Sequence, residues 1–475
     1  MAQLPTDRVL GITVLADFIL SEGVDPIIEN LMRIGATAVA CNPTVTAPAA
    51  DGTGTFQPPA DAGSSPRLFD RELFGERSLW VQSAPSYVPS SDFYADSAYG
   101  PRKVKDLTHE HGEIIDHFIA AAEAAGLKVY FQLGSVQPSG LRDEDRPCQP
   151  DGTVAAVRMA DTGSLASPAI RSYNRAYVND LLAKYPSVQG FRIDWPEYPC
   201  YTMAEVFHDF SPHVADWAGV NGFDFESLQA GVRSVYMHLH GGLADELLAA
   251  THELSIQQAF AALTGENNDA VAEWLKLKAA LSVDIVAEWR RVLDAAGRPD
   301  LELTAHAFMP PYSTVTGLDF GRVVDHCDAV SPKFYTMHWP LMVKFWSGWL
   351  LERNRSLDRN AVVRTLATWM ELGTPDEIDD RLDRYRYPEP HEEHPIPVET
   401  QRRKLQQVRD QLRDSSTPLV PLVHGYGPPD DFGARFRVIA EANVQGVWIN
   451  RYGYLGDEKL DAIAEVWKET KAQRH

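Results

Sequence analysis

The stretch "VQGFRIDWPEYPCY", Val188 to Tyr201, begins as a strand of core residues and ends in acids, prolines and aromatic rings. Within it, the alternation of "GFRID" places Phe191 and Ile193 on one face of the strand and Arg192 and Asp194 on the other. Charged residues on the inner face of a strand, close to its end, are typical of a site at the carboxyl end of a parallel sheet or barrel.

Seven other stretches show the same order of a short apolar strand followed by a helical segment. They are "RVLGITVL" (8–15), "ATAVACNP" (36–43), "LKVYFQL" (127–133), "LELTAHAF" (301–308), "DAVSPKFY" (328–335), "PLVPLVHGYG" (418–427) and "VQGVWINRYGYL" (444–455). Eight such units, with no second shift in composition, predict a single (β/α)8 TIM barrel over residues 1–475. A doubly wound parallel sheet is the structural alternative.

Two long insertions interrupt the repeat. Residues 44–105, after the second strand, are rich in Pro, Gly, Ser, Asp and aromatic residues, which predicts a structured lid-like loop over the C-terminal end of the barrel. Residues 202–266, after the fourth strand, are predicted to form a mostly helical insertion, and residues 341–416 are predicted to be helical and charged.

Composition limits the partners that the protein can bind. A formal charge of -22 argues against nucleic acid and anionic membranes, which clustered Lys and Arg would bind. The first twenty residues lack a basic segment followed by an apolar one, so we expect a cytoplasmic protein. The four scattered cysteines show no CxxC spacing, and we predict neither a metal nor a cofactor. The sequence is compatible with either a monomer or a homo-oligomer.

Polar and aromatic side chains gather at the predicted carboxyl ends of the strands. Alternation turns the following residues into the barrel: Arg192, Asp194, His306, Lys333, Tyr335, His424, Trp448 and Asn450. An interior used only for packing favours branched apolar residues there, so this set predicts a catalytic or binding pocket. As an alternative, Asp194 could serve only to neutralise Arg192 in a structural ion pair.

Aromatic residues lie just beyond several strand ends. They are Trp195, Tyr198, Tyr201, Trp339, Tyr452 and Tyr454. Exposed aromatic faces pack against the C–H faces of sugar rings, while neighbouring polar groups bind the hydroxyls. This pattern predicts a carbohydrate as the bound molecule.

The run "SPAIRSYNRAYVNDLLAKYPSVQGFRIDWPEYP" resembles the fourth-strand region of hypothetical glycosyl-hydrolase-like TIM-barrel families. "DAVSPKFYTMHWP" and "VQGVWINRYGYL" are similar to the sixth and eighth strands of those families. More distantly, "GFRID" is similar to the GxRxD strand of the α-amylase clan, a resemblance that implies Asp194 as the nucleophile. That clan has its acid/base Glu at the end of strand 5, where this chain has His306, and its strand-7 His-Asp pair is here His424 followed by Gly425.

We therefore predict a glycoside hydrolase with Asp194 as nucleophile or base and Glu197 as general acid. Such enzymes place two carboxyl groups about 5–5.5 Å or about 6.5–9.5 Å apart, for retention or inversion of the anomeric carbon respectively. The rings around Glu197 are expected to raise its pKa by desolvation. Glu371 is the reserve acid. The residues expected to bind substrate are Arg192, Trp195, His306, Lys333, Tyr335, His424, Trp448 and Asn450.

Two other functions remain open from the sequence. Because His, Lys and Tyr face inward beside few carboxylates, the pocket could abstract a proton, as in a carbohydrate lyase or isomerase. The barrel could also bind sugars without catalysis.

Overall fold

The computed structural model describes residues 8–60, 67–264, 268–413 and 415–472, and it contains a closed barrel of eight parallel strands. In chain order, the strands of the molecule are β1 Val9–Thr13, β2 Ala38–Cys41, β3 Thr44–Pro48, β4 Thr55–Gln57, β5 Leu79–Pro85, β6 Lys128–Gly134, β7 Gly190–Asp194, β8 Glu302–Ala307, β9 Ala329–Phe334, β10 Leu422–His424 and β11 Gly446–Asn450. The barrel runs β1-β2-β6-β7-β8-β9-β10-β11 and closes from β11 to β1. The TIM-barrel prediction is confirmed, and the doubly wound sheet is wrong.

Helices surround the barrel. They are α1 Ala16–Glu22, α2 Val24–Arg33, α3 Asp106–His111, α4 Ile114–Ala124, α5 Pro168–Lys184, α6 Met203–Val206, α7 Pro212–Val220, α8 Phe225–His238, α9 Asp245–Thr251, α10 Ile256–Thr264, α11 Asn268–Ala295, α12 Tyr312–Thr316, α13 Phe320–Val323, α14 Trp339–Arg353, α15 Arg359–Trp369, α16 Val398–Gln411, α17 Pro429–Glu441 and α18 Asp457–Ala472. Within the described ranges, no helix combines the length and apolar character needed to cross a bilayer.

The prediction of a helical segment over 341–416 is only partly right. Helices α14, α15 and α16 occupy much of it, but residues 370–397 form a long loop whose sole helical turn is Leu382–Arg384. Five prolines lie in this loop, at positions 375, 388, 390, 395 and 397. Each removes a backbone N–H and clashes with the preceding turn, which ends helices.

The two insertions differ in structure. Residues 44–105 contain an antiparallel sheet in the order β3-β5-β4, followed by a 3-10 turn at Ser91–Tyr94. Residues 202–266 contain helices α6 to α10. In the first insertion, the backbone N–H groups of Asp70 and Arg71 donate to the Gly453 carbonyl, just after β11. That part of the insertion therefore lies at the carboxyl end of the barrel, while a lid-like role for the whole segment stays a prediction.

Side chains divide cleanly between the barrel interior and the helix layer. The interior cluster comprises Ala38, Ala40, Tyr130, Val420, Leu422 and Trp448. Phe191 and Ile193, by contrast, belong to the large core between strands and helices. Gly11 of β1 faces the Trp448 indole so closely that a Cβ at this position would overlap the ring. The absent side chain at residue 11 makes room for a tryptophan in the barrel interior.

Candidate active site

An ion pair lies at the carboxyl end of the barrel. The carboxylate of Asp194, the last residue of β7, is 2.5 Å from the Nζ of Lys333 on β9. Lys333 is almost completely buried, whereas 24% of the Asp194 side chain remains accessible. The ammonium also lies 3.7 Å from the ring centroid of Trp195. Asp194 is therefore the more accessible member of the pair.

The alternative of a direct Arg192–Asp194 ion pair is wrong. Side chains two residues apart on one strand are about 6.6 Å apart at their Cα atoms and project in parallel. The lysine of β9 instead reaches across to the Asp194 carboxylate. The Arg192 guanidinium lies in the barrel interior, where its Nη2 donates to the Ser331 hydroxyl at 3.3 Å.

Arg192 is completely buried. Its guanidinium carbon lies 3.5 Å from the centroid of the Trp448 ring, and its Nε has no hydrogen-bond partner among the residues that the structure describes. Burial lowers the pKa of Arg192 to about 9, against the opposing influence of Tyr130, Tyr335 and Asp194. The group is still a cation at neutral pH.

His306 of β8 stands beside Asp194 in the strand register and next to Ser331 on its other side. It is fully buried, and neither ring nitrogen has a hydrogen-bond partner within the described ranges. Burial, together with the charges of Arg192 and Lys333, holds the pKa of His306 well below its usual range. The ring is therefore a neutral imidazole with one nitrogen able to donate and the other able to accept.

Glu197, the predicted acid, lies in the loop that follows β7. Its side chain is completely buried, its Oε1 accepts the Phe308 N–H at 2.5 Å, and its Oε2 accepts the Thr316 hydroxyl. Burial raises the pKa of Glu197 to about 7, although Lys333 opposes the shift. The predicted direction of the pKa and its cause, desolvation, are confirmed, and the hydrogen bonds from Phe308 and Thr316 are contacts that the sequence did not predict.

Tyr335 and His424 form a second group at the same end of the barrel. The two rings are 5.0 Å apart, and the Nδ1 of His424 accepts the Tyr426 N–H at 3.1 Å. Asn450 of β11 is the register neighbour of His424. The electrostatic interaction of Tyr335 with Arg192 links this group to the first.

The predicted exposed aromatic faces are largely absent from the described structure. Trp195 is partly buried, whereas the other five rings are buried: Tyr198, Tyr201, Trp339, Tyr452 and Tyr454. Lys333 covers one face of Trp195. The expectation of open stacking platforms at those five residues is wrong, because neighbouring side chains cover the rings: Phe18 of α1 packs against Tyr452, and Tyr312 of α12 packs against Trp339.

Sequence reasoning missed several residues around this end. The hydroxyl of Tyr201 and the Nδ1 of His338 are 2.9 Å apart. The Arg67 guanidinium lies 4.8 Å from the Tyr387 ring and donates to its hydroxyl at 2.6 Å, and that ring is 5.0 Å from Tyr426. His338 and Tyr426 could have been found by considering the residues just beyond the strand ends "SPKFY" and "LVHG". Arg67 and Tyr387 lie in long loops that carry no periodic signal.

One predicted residue lies outside this cluster. Glu371, the reserve acid, follows α15 and accepts a hydrogen bond from Gln407 of α16 at 2.7 Å, on the helix layer. In the part of the chain that the structure describes, no three His, Cys, Asp or Glu side chains are arranged to hold a metal ion.

No protein-family model matches the chain, and no curated protein matches its sequence. Solved structures similar to the chain include a β-galactosidase and the catalytic domain of a β-amylase. The β-galactosidase of the psychrophilic Marinomonas ef1 aligns with a TM-score of 0.51 at 10% identity, covering 98% of this chain and 60% of that one. The catalytic domain of β-amylase from Paenibacillus polymyxa aligns with a TM-score of 0.47 at 8% identity, covering 98% and 99%.

The chain spans about 60% of the length of that β-galactosidase and 58% of the one from Rahnella sp. R3. At these identities the likeness is one of fold. The molecule is thus a TIM barrel, and the solved structures similar to it include a β-galactosidase.

Proposed function

We propose that the chain is a glycoside hydrolase acting on a glycoside or oligosaccharide. The observation that carries the proposal is a contrast between two nearby carboxyl groups. Asp194 is accessible and paired with Lys333, whereas Glu197 is buried and has a pKa of about 7. Carboxyl groups in such unlike environments can divide the roles of base and acid that cleavage of a glycosidic bond requires.

Asp194 takes the role of nucleophile or base. Its carboxylate is partly accessible at the end of β7, and the ion pair with Lys333 fixes its position. The backbone N–H of Trp195 also donates to its Oδ1 at 3.0 Å. A carboxylate held by an ammonium and an amide is ready either to attack an anomeric carbon or to orient a water molecule.

Glu197 takes the role of general acid. A carboxyl group with a pKa of about 7 keeps a proton in an appreciable fraction of molecules at neutral pH and can give it to a departing sugar oxygen. Its present partners are Phe308 and Thr316, so the carboxyl has to turn from the Thr316 hydroxyl toward the barrel axis when substrate binds. Both charges of the Asp194–Lys333 pair act on Glu197, which supports its proximity to the site.

A second candidate is proton abstraction, as in a carbohydrate lyase or isomerase. The specific observation is His306, a neutral imidazole with both nitrogens unpartnered in the described structure, beside the Lys333 ammonium. Such a ring can remove a proton next to a carbonyl while a neighbouring cation stabilises the enolate.

The experiment is a turnover screen against chromogenic glycosides and unmodified oligosaccharides, with products identified by NMR. Hydrolysis that is lost in Asp194→Asn and retained in Glu371→Gln supports the proposal, since Glu371 is a partly buried carboxylate outside the site. An unsaturated or isomerised product that depends on His306 favours the second candidate. Binding without turnover on any sugar would make the barrel a sugar-binding protein and end the hydrolase proposal.

A further inference from the structure

Arg192 carries a positive charge in the barrel interior, where it is completely buried. A buried charge is costly unless it is paired and hydrogen-bonded, and buried arginines normally meet a carboxylate. Among the described residues, Arg192 makes no ion pair within 4.0 Å, donates one hydrogen bond to Ser331 and leaves its Nε without a partner. The Trp448 ring at 3.5 Å supplies a quadrupole rather than a countercharge.

The charged groups around Arg192 also leave an excess of positive charge. Arg192 and Lys333 contribute two positive charges, and Asp194 contributes one negative charge, which leaves a net charge of +1. His306 is neutral, and Glu197 offsets this excess only in the molecules where it has lost its proton. The whole chain carries a charge of -22, so a locally positive site is opposite to the rest of the protein.

We propose that this site takes a substrate with an anionic group, a sugar acid or acidic glycoside, whose carboxylate binds among Lys333, His306 and Arg192. That the sugar acid is a substrate rests on the proposed hydrolase function, whereas its binding does not. A carboxylate supplies the negative charge that the two cations lack, and its two oxygens can accept from the Lys333 ammonium and from an imidazole N–H. A neutral sugar would hydrogen-bond to these groups but leave their net charge uncompensated.

Isothermal titration calorimetry of the intact chain tests the proposal without turnover. The probes are D-glucuronate and D-galacturonate, each compared with the neutral parent sugar and with the methyl ester of the acid. We expect the better acid to bind at least about tenfold more tightly than both of its neutral counterparts at physiological salt. Equal affinity of both acids and their esters overturns the proposal.

Variants assign the preference to these cations. Lys333→Met and Arg192→Met should each reduce the ratio of acid to ester affinity toward one. Arg8→Met is the matched control, because Arg8 is also buried and lies 4.4 Å from a tryptophan ring, that of Trp467, but bonds the carbonyls of Val444 and Ala440. If Arg192→Met does not fold, the ratio of acid to ester affinity in the wild type and in Lys333→Met still tests the proposal. A preference that survives in Lys333→Met overturns the assignment.

Two further measurements distinguish a sugar-acid site from a general anion site, and binding from hydrolysis. Inorganic phosphate that binds as tightly as the sugar acids would show a site for free anions and overturn the assignment to a sugar. Binding of a sugar acid without hydrolysis of any acidic or neutral glycoside supports this inference while the hydrolase proposal fails. Hydrolysis of neutral glycosides without any preference for acids supports the hydrolase proposal and overturns this inference.

Discussion

Replacing Asp194 with Asn keeps the shape of the side chain and removes its charge. If the carboxylate acts in the transition state, turnover should fall by a factor on the order of 10³ or more. The same change leaves the Lys333 ammonium, almost completely buried, without the carboxylate now at 2.5 Å. At that distance the Coulomb energy is about 1.7 kcal/mol for a dielectric constant of ~80 and about 6.6 kcal/mol for ~20.

The accessible quarter of Asp194 places the pair between these limits, and we expect a coupling of about 2–4 kcal/mol. The assay is a double-mutant cycle of Asp194→Asn and Lys333→Met, with the free energy of unfolding measured by chemical denaturation. The Lys128–Glu302 pair is a matched control, because its charged atoms are 2.6 Å apart but both side chains are exposed. That cycle should give about 0–1 kcal/mol. Full turnover of Asp194→Asn, or equal coupling in both cycles, would refute the reasoning.

Three further predictions concern protons and loops. Glu197→Gln should abolish the loss of kcat that we expect in the wild type as pH rises through about 7, and its kcat should fall most on substrates with poor leaving groups. The pKa of Lys278 is lowered from 10.5 to about 7, so the unfolded chain binds more protons between those values and stability should rise with pH there. Lys278→Met should flatten that rise in denaturation experiments, as should Lys404→Met at the other buried lysine with a pKa of about 7. Arg67→Gln should speed proteolysis within residues 67–105, because it weakens the contact with the Tyr387 ring; unchanged cleavage would show that the contact does not anchor the insertion.

The strand register could be predicted because a one-residue slip would reverse every face at once. Phe191 and Ile193 could only suit the helix layer, so Arg192 had to point into the barrel, where it lies over Trp448. The same argument placed Lys333 inside. These predictions needed only local alternation and the closed barrel.

The partner of Asp194 could not be predicted in the same way. It depends on the stagger between β7 and β9, which are separated by β8, and on how far a lysine side chain reaches. Neither quantity has a local sequence signal. The hydrogen-bond partners of Glu197 likewise had no local signal, because Phe308 and Thr316 are more than a hundred residues away in the chain.

The error over exposed aromatic rings has a different origin. A position just past a strand end predicts proximity to the barrel mouth but says nothing about what covers it. Arg67 from one long loop packs against Tyr387 from another and lies over Tyr454, a ring that was expected to be open. Loop packing of this kind is set by tertiary contacts, and a single sequence carries no periodic pattern from which they could be predicted.

The Lys333 ammonium on the face of Trp195 has a consequence for affinity. A ligand ring that stacks on this face of Trp195 must first displace the Lys333 ammonium, so the lysine competes with the ligand for the tryptophan. The apparent dissociation constant equals the intrinsic one divided by the fraction of molecules in which the lysine has swung away. With that fraction at about 1%, affinity falls about a hundredfold. A ligand that draws the ammonium toward itself escapes part of this penalty, whereas a ligand indifferent to it meets the full cost. The tryptophan is thus a conditional platform, open only to molecules that can first move a lysine.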